Sequence, residues 1–392
     1  MEYCAYSRKL WTGSLKRKMN FNTQVLTTRE PDIAKWRGLV TSNPRADIYF
    51  TPEFAMTFER STGTTRQDFG GEALLFFYGN QQNNIIYPFF KRPISELPFS
   101  ELLPLESRIW FDIISPYGYS GPLSYVTETG LEHLLWTGFL EEFHNYCVNN
   151  DIVAEFVRLH PYIKNHLSLQ DYSDSSNLIK RSEVVYVDLE QDEALIWKNL
   201  TKGHKSSISK ARRSGVEIRS YDTTDQINAF YQLYTATMER NRAKDAYFFS
   251  REFINDTVQL LEGKVKLYCA LYDDKIIAAS LFLFFGNLAH YYLSGSDVSY
   301  LSVCPNNLML WEVIQRAKEQ GYKIFNLGGG YSPNDSLFHF KSFFSTTTAD
   351  FYTFSKVHNA AIYEKLCQSR ERYAELKGEV SVQSDYFPGY RR

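Results

Sequence analysis

The chain has 392 residues, 44% of them hydrophobic and 22% charged. That length allows two or three domains, and that balance belongs to a folded globular protein rather than a disordered one. Lys and Arg number 43 against 45 Asp and Glu, a formal net charge of -2, which excludes a generally basic nucleic-acid coat or a polybasic membrane binder.

From the N-terminus, Arg8, Lys9, Lys16, Arg17 and Lys18 precede Met19 with no apolar run after them. This is not a secretory signal. Residues 1–18 read as an unstructured extension upstream of Met19, a second candidate start. Residues 73–78 and 84–90 are β-branched and aromatic runs joined by a polar turn, the pattern of a hairpin. Residues 130–149 carry Leu131, Leu134, Leu135, Phe139 and Phe143 at helical spacing, and 152–159 reads as a strand. Residues 165–177 are polar and turn-rich and read as a linker.

A second half opens near Glu183. Strands are expected at 184–189 and 216–221. Short helices are expected at 192–200 and 204–214, the latter ended by Gly215. A helix over 224–241 places Ile227, Phe230, Leu233 and Tyr234 on one face. Three antiparallel strands follow at 265–272, 275–285 and 288–294, turned at Asp273-Asp274 and Gly286-Asn287. A helix at 305–320 has Pro at its start and Gly321 past its end. A strand at 322–327 and a C-terminal helix at 358–376 complete the order. The longest apolar run, 276–285, is too short to span a bilayer and reads as a buried strand. The five cysteines are scattered, with no CxxC pair, which fits a reduced cytosol and neither a disulfide framework nor zinc. Helix, helix, antiparallel strands, helix, strand is an α/β (α+β) order and not a strict βαβ alternation.

Four segments carry a resemblance. The first is Ser115-Pro116-Tyr117-Gly118-Tyr119-Ser120-Gly121-Pro122-Leu123. The second runs over 197–216 and contains His204-Lys205-Ser206-Ser207-Ile208-Ser209-Lys210-Ala211-Arg212-Arg213. The third is Met238-Glu239-Arg240-Asn241-Arg242 with Ala246-Tyr247-Phe248-Phe249. The fourth is Gly328-Gly329-Gly330 followed by Asp335-Ser336-Leu337-Phe338-His339-Phe340-Lys341-Ser342-Phe343-Phe344. The strand His290-Tyr291-Tyr292-Leu293 also fits. Together they resemble the Fem (FemABX-like) family of aminoacyl-tRNA-dependent peptidyltransferases, GNAT-related bacterial enzymes of peptidoglycan bridge synthesis. The resemblance implies two tandem GNAT-like domains of mixed, mostly antiparallel sheets flanked by helices, at 19–177 and 178–356. Residues 357–392 would return to the first domain. The coiled-coil arm of the bridge-forming members is absent. So is the Gln/Arg-x-x-Gly-x-Gly/Ala loop that cradles coenzyme A in GNAT acetyltransferases, and no cofactor is implied.

Residues 194–216 hold Lys198, Lys202, Lys205, Lys210, Arg212 and Arg213 without an acid. The stretch fits a phosphate-contacting patch for the donor RNA and equally a solvated helix face. Residues 328–330 lack the ending of a P-loop and the spacing of a dinucleotide fingerprint, so they read as flexible backbone near a site. Lys341, set between aromatic residues, is the candidate catalytic group, stabilising charge as an ester is attacked; a snorkelling surface lysine is the other reading. Tyr117, Gly118, Tyr119, Arg158, His160, Arg240, Arg242, Tyr247, Tyr292, Asp335 and Phe340 are candidate substrate contacts, with structural roles open for each. His160 is also a possible base. No GxSxG elbow or Cys nucleophile motif is present.

The leading expectation is an aminoacyltransferase acting from aminoacyl-tRNA on an amine of a nucleotide- or lipid-linked, anionic acceptor. An N-acyltransferase using acyl-CoA on an amino sugar, and a non-catalytic nucleotide-sugar or RNA binding module, are the alternatives.

Overall fold

A computed structural model describes residues 20–102, 108–221, 225–332, 335–379 and 386–392. The expected extension over residues 1–18 lies outside the described residues. The chain divides into two compact units. One comprises the residues up to Asn43, Phe69–Lys180 and Tyr352–Arg392; the other comprises Pro44–Asp68 and Arg181–Phe351.

In the first unit the hairpin expected at 73–90 is present as strands Glu72–Gly79 and Asn84–Pro93, paired antiparallel from Glu72↔Lys91 to Gly79↔Asn84. Asn80 closes its turn by accepting from the backbone of Gln82 and Asn83 at 3.0 and 2.9 Å. Asn22–Thr27 pairs with the outer strand of this hairpin. On its other side come Phe111–Ile114, Ile152–Arg158 and the later half of Thr348–Val357; Phe111–Ile114 runs parallel to Ile152–Arg158. The helix Glu132–Asn149 lays Trp136, Phe139 and Phe143 on Phe76, Tyr87 and Phe89. Aromatic residues are 16% of the chain, and many of them fill this core with edge-on and tilted rings such as Phe76–Phe143 at 5.0 Å. The helix Ala360–Lys377 and Tyr390 pack on Val153 and Ala154. Buried Asp112 accepts from Arg92 at 2.8 Å and from Tyr390 at 3.1 Å.

The expected linker at 165–177 is a helix, Asn165–Tyr172, and a short turn of 3-10 helix, Ser175–Asn177. Its sequence is too polar to show a face, since only Asn165 and Leu169 are buried. Tertiary contacts decide it: Tyr172 stacks on Trp136 at 6.1 Å.

In the second unit the strand order is Leu178–Asp188, Ile324–Gly328, Leu288–Ser296, Lys275–Phe285, Val265–Tyr272, Glu217–Tyr221. All steps are antiparallel except Leu288–Ser296 with Ile324–Gly328. One face carries the helices Lys202–Arg213 and Pro305–Glu319, closing a core of Ile208, Leu308, Ile314, Phe282, Phe325 and Phe344. The run at 276–285 is apolar but for Ser280, whose hydroxyl donates to Ser294 Oγ at 2.8 Å, because this central strand is covered on both sides. Residues 44–68, which the sequence reading puts in the first domain, pack here instead. Phe58 meets Phe253 at 5.0 Å and Asp47 meets His290 at 3.0 Å, contacts too distant in sequence to be read from it.

Candidate active site

The parallel step in the second unit is short. Leu288, Ala289 and His290 face Ile324, Phe325 and Asn326, and the pairing stops there. Ile324–Gly328 then shifts register, so that Gly328 pairs with Val185 on its other neighbour. The parallel ladder therefore ends after His290 and Asn326, and the carboxyl ends of parallel strands are where open sheets admit ligands. The chain leaves through Gly328-Gly329-Gly330. A Cβ on Gly330 would lie 2.3 Å from the Asp335 carboxylate, so this position excludes a side chain.

Asp335 ties the glycine turn to the next helix. Its Oδ1 accepts from Phe338 N at 2.8 Å, capping the helix Ser336–Ser342. Its Oδ2 accepts from Tyr331 N and Ser332 N at 2.6 and 2.9 Å. Burial alone would raise this carboxyl, but backbone N–H donors outweigh it and hold Asp335 below the usual carboxylate range. The helix so started carries Lys341 inward. Lys341 is only 8% exposed, and its Nζ donates to the Gly329 carbonyl at 2.7 Å. It is not a snorkelling lysine. Burial pulls its pKa from 10.5 down to about 8, against the opposing field of Asp335. Among the described residues Gly329 is its one hydrogen-bond acceptor, which leaves N–H donors for a substrate oxygen.

Phe340 lies beside His204, with ring centroids 5.2 Å apart, and Phe344 meets the same imidazole at 4.6 Å. Sequence reasoning missed His204. Burial keeps it below the usual histidine value, so it is a neutral packing group at the root of the basic helix. That helix, Lys202–Arg213, is capped by Thr201 and turns Ile208 and Ala211 inward. Lys202, Lys210, Arg212 and Arg213 lie on its outer side, all four exposed. Lys205 is half-buried and donates to the Lys198 carbonyl at 2.9 Å, and Arg212 lies 3.9 Å from Glu312.

The remaining candidates of the second unit divide. Tyr247 stands edge-on to Tyr331 of the glycine turn, at 6.3 Å. Arg240 donates to the Ser296 carbonyl at 3.1 Å, a structural bond at a helix end. Arg242 is exposed, with φ +51, past that helix end. Tyr292 packs against Phe54 at 6.1 Å.

In the first unit Tyr117, Gly118 and Tyr119 form a turn beside the end of strand Ile152–Arg158. Tyr117 lies against Phe69 at 4.8 Å, and the Arg158 guanidinium sits over the Phe69 and Phe156 rings at 5.5 and 5.3 Å. Phe69 was not legible as part of this group. His160 is fully buried, and its Nδ1 accepts from Tyr162 N and Ile163 N at 3.3 and 3.1 Å, which makes it a turn cap here. Asn165 fastens the turn, donating to Ser120 O at 2.7 Å and Pro122 O at 3.2 Å while accepting from His160 N at 2.9 Å. A Cβ on Gly121 would lie 2.8 Å from its amide.

Residues 198–342 match the acetyltransferase (GNAT) domain family, so the second unit carries an acyltransferase-type domain. A curated relative, the UDP-N-acetylmuramoylpentapeptide-lysine N(6)-alanyltransferase of Weissella viridescens, is 27% identical over 147 residues. The match covers 36% of this chain and 41% of the relative, so under half of that protein is spanned. The solved structure of FemX superposes with a TM-score of 0.62 at 13% identity, over 88% of this chain and 99% of that one. The C-terminal domain of a putative lysylphosphatidylglycerol synthetase from Agrobacterium fabrum gives 0.51 at 14% identity, over 87% and 97%. The α/β class expected of the sequence is the observed one. Among the described residues no helix is long and apolar enough to cross a membrane.

Proposed function

We propose that this chain, FemABX-like in sequence and GNAT in fold, is an aminoacyltransferase that moves an amino acid from aminoacyl-tRNA onto an amine of an anionic, nucleotide- or lipid-linked acceptor. The observation that carries the reading is the buried Lys341 ammonium held by the Gly329 carbonyl, three residues past the end of the parallel ladder at Asn326. The amine lone pair attacks the ester carbonyl carbon and forms the C–N bond. The carbonyl π pair moves onto oxygen, and the tetrahedral oxyanion collapses with cleavage of the bond to the ribose oxygen. The proton lost by the amine passes to that oxygen through substrate groups or water. No protein nucleophile takes part. Lys341 supplies positive charge where the oxyanion develops. Alignment of two bound substrates contributes on the order of 7–11 kcal/mol.

Tyr117, Gly118, Tyr119 and Arg158 are assigned to the acceptor, because a guanidinium over aromatic rings suits an anionic group. Asp335, which caps the helix carrying Lys341, Phe340, which precedes Lys341, and Tyr247, which meets Tyr331 of the glycine turn, are assigned to the reacting end. Lys202, Lys210, Arg212 and Arg213 are assigned to the RNA, with Lys205 partly committed to Lys198. The compartment is the cytosol, where the charged donor is made. The match to an acetyltransferase domain supports a second reading, N-acyl transfer from acyl-CoA.

Purified protein given labelled aminoacyl-tRNA or labelled acyl-CoA with candidate amines separates the two. Label should reach the amine from the tRNA and stop on ribonuclease treatment. Ribonuclease-insensitive transfer, or transfer from acyl-CoA alone, overturns the first reading. Transfer unchanged by Lys341→Ala would remove Lys341 from the chemistry.

A further inference from the structure

Three buried polar residues near Lys341 take no part in the chemistry above. Asp47, His290 and Asn326 are all buried, at 0, 0 and 2% exposure. They come from three distant segments: residue 47 precedes the 3-10 turn Ile48–Phe50, residue 290 lies on Leu288–Ser296, and residue 326 lies on Ile324–Gly328. His290 and Asn326 are the last registered pair of the parallel step.

The hydrogen bonds among them leave no freedom of orientation. Gly328 N donates to Asn326 Oδ1 at 2.8 Å. A backbone N–H only donates, so the Asn326 amide is fixed and its Nδ2 faces His290 Nδ1 at 3.0 Å. That nitrogen must accept, so the imidazole proton sits on Nε2 and is donated to Asp47 Oδ1 at 3.0 Å. Asp47 is fixed in turn, accepting from Ile48 N at 2.7 Å, and the Tyr49 ring stands edge-on to the imidazole at 5.1 Å. The chain of bonds ends at Gly328, where the strand shifts register and the ladder is interrupted. One residue on, the Gly329 carbonyl holds the Lys341 ammonium.

We propose that Asp47, His290 and Asn326 are positioning residues: a buried relay that fixes the Gly328–Gly329 backbone and, through the Gly329 carbonyl, the placement of the Lys341 ammonium. The inference rests on the reading of Lys341 as the group that meets the oxyanion. A buried carboxylate, imidazole and amide cost more to desolvate than apolar residues of the same volume, which would join the strands as well. What apolar residues would not supply is an acceptor for Gly328 N at the break in the ladder.

The test uses the full chain with Asn326→Leu, which removes both side-chain bonds, and Asn326→Asp, which keeps the acceptor for Gly328 N. A displacement on the order of 1 Å costs up to about 10²-fold. Asn326→Leu should therefore lower kcat about 10–100-fold with KM for both substrates unchanged, and Asn326→Asp should restore most of it. Independently of transfer, lysine-selective NMR should show the Lys341 titration displaced from about 8 in Asn326→Leu, with Asp335 the charged partner beside it. Should Asn326→Leu fail to fold, His290→Gln is measured in its place. A folded variant with unmoved Lys341 signals, or one in which KM rises and kcat holds, overturns the relay. A wild-type protein that transfers nothing overturns the proposed function instead, and the NMR result still decides the relay.

Discussion

Lys341 and the lysines of the helix Lys202–Arg213 are the same side chain under opposite conditions. Lys341 is buried, held by one carbonyl, and drawn down to about 8 by desolvation. Lys202 stands in solvent. A buried ammonium acts at full strength on one oxygen and costs stability; an exposed one acts through a screened field and costs nothing. The first arrangement suits chemistry at a point and the second suits loose contact with a polyanion.

The largest test of that contrast is Lys341→Met. Transfer should fall by at least about 10²-fold, the loss seen when one charge-stabilising donor is removed. Stability should move the other way. The folded pKa is depressed from 10.5 to about 8, so below about pH 8 the buried charge costs the fold up to about 3 kcal/mol, and the cost is relieved as pH rises from 8 to 10.5. Lys341→Met should therefore raise the melting temperature at pH 7 by several degrees and lose that advantage by pH 10.5. A destabilised variant at pH 7 would mean that the Gly329 bond outweighs the desolvation.

Next in size is the field of Asp335. The wild-type rate should fall as pH rises through about 8, because the ammonium is the working form. Asp335→Asn keeps one acceptor oxygen to cap Ser336–Ser342; it removes the charge that supports the ammonium and, with it, the second oxygen that accepts from Tyr331 N and Ser332 N. The alkaline limb should shift to lower pH, with a several-fold loss at pH 8 and unchanged helix content. An unmoved limb would show that the carboxylate acts through the backbone alone.

Which of these parts could be read in the sequence depends on the range of the forces involved. The helix Pro305–Glu319 and the strands at 265–296 announce themselves by local pattern, since proline, glycine turns and apolar period act over a few residues. Lys341 was legible through a motif, but its burial was not: that depends on Asp335 fixing the glycine turn. Asn165–Tyr172 hid because its sequence has no apolar face. Asp47, His290 and Asn326 hid because each is ordinary in its own segment and they meet only through the sheet.

The exposed side of the comparison predicts smaller effects. Arg213→Gln should weaken donor binding two- to several-fold at low salt and reduce the salt slope of log K by about 0.7–0.9, the share of one phosphate contact. A variant of this helix that moved kcat without moving the salt slope would place its residue at the chemistry instead.

Lys205 divides the helix further. It sits among the same basic residues, yet it is half-buried and its Nζ donates to the Lys198 carbonyl at 2.9 Å. Lys198 lies in the last turn of Glu193–Asn199, so the ammonium there meets the negative end of a helix. A charge already engaged must give up that bond before it meets a phosphate, and the exchange of one acceptor for another gains little. Lys205→Gln should therefore reduce the salt slope less than Arg213→Gln does, and should instead cost about 0.3–1 kcal/mol of stability through the lost helix-end contact. Equal slopes for the two variants would show that Lys205 leaves the Lys198 carbonyl when RNA arrives, and the helix would then present its lysines as one surface.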